Sequence, residues 1–68
     1  MKIPTPETHH FYRLAKDKAR EAVELERISR QLADLGLPVS SKEIYLEANT
    51  SWQEAVGAMS HVVWQDPE

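Results

Sequence analysis

The run Leu35-Gly36-Leu37-Pro38 constrains the fold of this chain more than any other feature. A glycine can take the left-handed conformation just past the last residue of a helix, and a proline two positions on cannot continue that helix. Leu37, between them, can fold back onto Leu32. Close behind, Ser40 and Glu43 have the three-residue spacing of a capping box, in which serine and glutamate each satisfy a free N–H at a helix start. One helix therefore ends and another begins within a few residues, and so short a connection makes them antiparallel neighbours.

The pattern on both sides of the turn is helical. Thr5 reads as an N-cap, followed by Pro6 at a position where its missing N–H costs nothing and by Glu7 in the first turn. Phe11, Leu14, Ala22, Leu25, Ile28, Leu32 and Leu35 then recur at helical spacing, with Lys18 and Glu21 breaking the line. Beyond the turn, Tyr45, Ala48, Trp52, Ala55, Met59 and Val62 step alternately by three and four, and Ile44, Val56 and Val63 widen the seam. Asn49-Thr50-Ser51 are poor helix formers, and both Thr50 with Gln53 and Ser51 with Glu54 could cap a new start. These signals allow a kink or split of the second helix there, although the unbroken heptad phase favours one element. The spacing predicts a helix over 6–35, a turn at 36–40, a helix over 41–64 and a frayed polar tail at 65–68, all in one domain over 1–68.

The expected fold class is all-α, an antiparallel helical hairpin. Folding the arms about Pro38 sets Leu32 near Ile44 and Tyr45, Leu25 near Trp52, Leu14 near Val62, and Phe11 and Tyr12 near Trp64. Lys18 would face Ala58 and Met59, its stem packed and its ammonium in water. A chain of 68 residues buries only about 60% of its unfolded surface, and with no cysteine it has neither disulfides nor the commonest zinc sites to compensate. Two helices bury one face each, so the expectation is a homodimer forming a four-helix bundle.

The residues offer little chemistry. His9 and His10 are adjacent and point to different sides of a helix, whereas ligands from one helix want a spacing of three or four; His61 alone does not complete a set. Ser40, Ser41, Ser51 and Ser60 supply hydroxyls, but only Ser60 has a histidine nearby, and as its sequence neighbour that histidine diverges from it. There is no glycine-rich phosphate loop and no paired-carboxylate cleft. Neither an enzyme nor a metal, cofactor or small-molecule substrate is expected. The segment Met1 to Pro6 lacks the apolar core of a signal peptide, and no apolar run approaches the roughly 20 residues that span a bilayer, so the expected location is cytoplasmic, away from membranes.

Charge is unevenly placed. Residues 1–30 carry seven Lys/Arg against five Asp/Glu, residues 31–68 one against six, for a net charge of -3. Arg13, Lys16, Arg20, Arg27 and Arg30 form a basic stripe on the first helix, suited to phosphates or an acidic protein surface unless taken up by i,i+4 pairs such as Arg13–Asp17, Arg20–Glu24 and Glu26–Arg30. A helix-turn-helix over 28–50 would put Lys42 beside Glu43 and Glu47 where a recognition helix wants base-reading groups, so nucleic acid is the weaker expectation. Tyr12 and Trp64 fall off both seams, and large apolar groups left exposed mark an interface with a second copy or another protein. The interface candidates are these two together with Phe11, Tyr45, Trp52, Val56, Met59 and Val63 of the seams. The expected function is that of a small acidic protein-protein interaction module, a non-enzymatic dimeric adaptor or inhibitor that binds and modulates a larger protein. The alternative is a small dimeric DNA-binding transcriptional regulator using the basic stripe.

Overall fold

The computed structural model describes residues 1–67. It contains a two-residue strand β1 (Ile3–Pro4), helix α1 (His9–Asp34), helix α2 (Pro38–Met59) and a second short strand β2 (Trp64–Gln65). The helices pack antiparallel as a hairpin, and α2 is a single helix through Asn49-Thr50-Ser51.

The turn forms as its residues dictate. Gly36 has φ +77°, the left-handed conformation that a side chain would strain. The Gly36 N–H donates to the Ala33 carbonyl (3.0 Å) and the Leu37 N–H to that of Leu32 (3.0 Å), the paired bonds of a Schellman ending. The second start differs from expectation. Pro38 is the first residue of α2, and no side chain caps its start, so Ser40 and Glu43 sit within the first turns and form no capping box. Proline's fixed φ and absent N–H suit that first position. The pivot consequently lies at Gly36, a little earlier than Pro38, and the arms meet in a different register.

The other ends also move, for one shared reason. Strand β1 pairs antiparallel with β2, Ile3 opposite Gln65 and Pro4 opposite Trp64. The Thr5 N–H donates to the Val63 carbonyl (2.8 Å), and the Val63 N–H donates to the Thr8 hydroxyl (3.1 Å). Thr5 is thereby held by the far arm instead of capping a helix. It accepts from the Thr8 N–H (3.1 Å) in a turn, and α1 begins at His9, not Pro6. Likewise α2 stops at Met59, and Trp64 and Gln65 belong to the ribbon instead of helix and frayed tail. Glu68, the last residue of the expected tail, lies outside the described residues. The fold is a helical hairpin whose open end is clasped by a minimal β-ribbon.

The seam between the helices holds small residues. Ala15, Ala22 and Ser29 are buried on α1; Ala48, Ser51, Ala55 and Ala58 are buried on α2, with Val62 just beyond it. Ala22 and Ala48 are fully inaccessible to solvent. The expected seam of large side chains lies to the sides of this line. Register is fixed where Ser29 meets Ser41: the Ser29 hydroxyl donates to the Ser41 carbonyl (2.8 Å) and the Ser41 hydroxyl to the Ser29 carbonyl (2.8 Å). Steps of seven from that pair bring Ala22 against Ala48 and Ala15 against Ala55. Such residues let backbones approach closely, but they bury little apolar area. The molecule is a rod of 53 × 17 × 13 Å with a radius of gyration of 15.5 Å, where a compact domain of this length has about 11 Å.

Candidate functional site

Because the seam is narrow, the large side chains are displaced onto two opposite faces of the rod. On α2, residues three or four apart share a face, so Tyr45, Trp52, Val56 and Met59 line up on one side of Ala48 and Ala55. On α1, Tyr12, Lys16 and Ala19 stand on the same side. Ala15, Lys16 and Ala19 meet Trp52, Ala55, Val56 and Met59 around an almost wholly apolar depression of about 230 Å³. At the clasped end the Tyr12 and Trp64 rings meet edge to face, their centroids 5.8 Å apart, while the Lys16 ammonium lies 5.4 Å from the centre of the Tyr12 ring. Edge-to-face rings and a cation over a ring are each modestly attractive, which orders this end of the face.

Six of the eight residues expected at an interface therefore share one face: Tyr12, Tyr45, Trp52, Val56, Met59 and Trp64. Phe11 turns to the other side, its ring centroid 4.0 Å from that of His10 and 5.0 Å from that of His61. Val63 joins the clasp through its backbone while its side chain stays exposed. Most of the aromatic face is open to solvent, with Tyr45 at 50% and Val56 at 69% of full exposure. Tyr12 and Trp52 are half-buried.

The opposite face carries Leu14, Leu25, Ile28 and Leu32 from α1. Here Leu25 lies in a shallow groove with Glu21, Glu47, Thr50, Ser51 and Glu54. The Lys18 ammonium bridges the helices, 3.1 Å from the Glu54 carboxylate and 3.5 Å from that of Glu21. Its contact with Glu54, reinforced by the Glu21 charge, holds the Lys18 pKa above the ordinary lysine value. Lys18 is thus level with Glu54 and not with Ala58 and Met59, another result of the shifted register. Leu25 for the same reason meets Ser51 and Glu54 instead of Trp52.

The basic stripe divides. Arg13, Arg20 and Arg27 follow one another at sevens along the outer side of α1, whereas Lys16 and Arg30 stand at the rim of the aromatic face. Arg27 pairs with Glu24 at 2.7 Å. The i,i+4 pairs expected at Arg13–Asp17, Arg20–Glu24 and Glu26–Arg30 are not formed among the described residues, where the ion pairs run i,i+3 or between arms.

Among the described residues no group of three or more His, Asp or Glu side chains could hold a metal ion, and no helix is long and apolar enough to cross a membrane. The Ser60 hydroxyl donates to the Gly57 carbonyl (2.6 Å), not to His61. Ser29 and Ser41 are engaged with each other. What the geometry defines is a two-faced helical hairpin, one face aromatic and the other leucine-lined with carboxylates. No protein-family model matches the chain, and no curated protein or solved structure matches it either.

Proposed function

We propose that this chain is a non-enzymatic protein-protein interaction module, a dimeric helical adaptor or inhibitor that acts by docking on a larger protein. The observation that supports the reading is the inversion of the usual arrangement. The interior is mostly alanine and serine, while Leu14, Ile28, Tyr45, Val56 and Trp64 are exposed. Monomeric soluble proteins rarely leave contiguous apolar faces of this kind uncovered, and where they occur they mark contact surfaces. Each face offers large side chains of the sort that anchor binding, those of the leucine-lined face interleaved with the carboxylates of Glu21, Glu47 and Glu54.

The test is capture of the partner by the immobilised full chain, with the bound material analysed for protein and nucleic acid. One defined protein retained in stoichiometric amount, and lost when Leu14 and Ile28 or Tyr45 and Val56 are changed to glutamate in chains that keep their helicity, is the expected result. Retention of nucleic acid alone, weakening steeply with added salt, would replace this reading with a DNA-binding regulator working through Arg13, Arg20 and Arg27.

A further inference from the structure

Building on the interaction-module reading, we propose that the aromatic face is the self-association surface, covered by the same face of a second copy, and that the leucine–glutamate face is left free for the larger protein.

Area argues first. The chain exposes 5174 Å², whereas a compact monomer of 7.8 kDa exposes about 4,400 Å². The difference, about 800 Å², is what one partner contributes to an interface of standard size. A rod only 13 Å through its thinnest direction reaches ordinary domain thickness by doubling.

Charge then chooses between the faces. A twofold contact places each patch against its own copy, so charges near the middle of the patch meet their like. The middle of the leucine–glutamate face holds Glu21, Glu47 and Glu54 with the single ammonium of Lys18. Doubling it would gather six carboxylates around two ammoniums out of water, which is costly. The aromatic face has its middle in Ala19, Trp52, Val56 and Met59; its charged groups are Lys16, at the lip of the depression, and Glu26 with Arg30 beside Tyr45, so their signs are mixed and doubling gathers no excess of carboxylates.

Shape agrees with charge. The depression between Ala15 and Ala19 on one side and Trp52, Val56 and Met59 on the other is a hole flanked by knobs. That is the relief by which helices interlock when two hairpins form a four-helix bundle. A face that carries both holes and knobs can complement itself across a twofold axis. A head-to-tail contact would instead leave one aromatic face bare at each end of the assembly.

The experiment measures the mass of the full chain in solution over roughly 1–100 μM, where a micromolar dimer dissociates on dilution. The wild-type chain is expected at twice 7.8 kDa, with tryptophan emission moving to longer wavelength on dilution because Trp52 and Trp64 both belong to the covered face. Val56→Glu is expected to weaken association by about tenfold or more with helicity unchanged, since Val56 is exposed within the hairpin. Tyr45→Glu repeats the test at a second exposed position should Val56→Glu lose its fold. Ile28→Glu, on the opposite face, is expected to leave the mass at two chains while weakening capture of the larger protein. A wild-type chain that stays monomeric throughout the range overturns the inference, although partner capture would still uphold the module reading. A dimer broken by Ile28→Glu and untouched by Val56→Glu and Tyr45→Glu also overturns it, assigning self-association to the other face.

Discussion

At the residue scale the unusual positions are the smallest ones. Ala22 and Ala48 have no solvent exposure, closed in along the seam between the helices. Ala48→Leu is expected to lower stability by roughly 1–3 kcal/mol, the range for an overfilled contact, read as a drop in the denaturant midpoint at unchanged slope. The Ser29–Ser41 exchange is the polar counterpart. Ser29→Ala removes one donor and leaves the Ser41 carbonyl without it, with an expected loss of about 1 kcal/mol in the same measurement. Lys18 shows a pH dependence whose direction follows from its raised pKa. The folded chain holds the Lys18 proton more tightly than the unfolded one. The stabilisation is therefore complete at neutral pH and disappears as pH rises through the folded-state pKa, above the ordinary lysine range. Wild type and Lys18→Gln should differ in denaturant midpoint at neutral pH and converge in strong alkali; a constant gap would assign the contribution to the alkyl stem.

At the element scale the sequence was most legible where the signal was local. Gly36 carries its conformation in its covalent structure, so the end of α1 could be placed from residue types alone, whereas α2 starts at Pro38, ahead of the expected 41. Gly36→Ala is expected to destabilise by roughly 1–2 kcal/mol. No atom lies within 4 Å of the added methyl, so the loss measured in denaturant would be purely conformational, and Gly36→Asn should lose less. The helix ends were less legible because competing local signals were decided from a distance. Thr5-Pro6-Glu7 is a good helix start in isolation, but Thr5 bonds to Val63, and two-residue strands have no periodicity to announce them. The seam was legible only in part: Ala22, Ala48, Ala55 and Val62 lie on the expected line and are buried, whereas the large residues expected beside them fall to its sides. Large apolar residues outweighed the strict sevens of Ala15, Ala22 and Ser29 and of Ser41, Ala48 and Ala55, although that spacing was present to be read. Six of the eight interface candidates still fell on one face: steps of three and four keep Tyr45, Trp52, Val56 and Met59 together whichever face turns inward, and the clasp sets Trp64 against Tyr12 at its end. Thr8→Ala removes the acceptor of the Val63 N–H. Hydrogen exchange should quicken at Thr5 and Val63 while the middle of α1 keeps its protection, and uniform loss along the chain would make the ribbon part of the main cooperative unit.

At the scale of the whole molecule, the close seam reverses the usual meaning of a core substitution. Domains built on leucine and phenylalanine suffer mainly from truncation, since lost side chains leave cavities. Along the line from Ala15 to Ala58 there is almost nothing to truncate. Variation in this chain should therefore be limited by growth. A saturation library selected for folding would accept glycine, alanine and serine at those positions and reject bulk, while tolerating wide changes at Leu46 and Val39, which face water. Selection for folding and selection for binding would then leave separate imprints, the first written in side-chain volume down the middle of the rod and the second in hydrophobicity along its flanks.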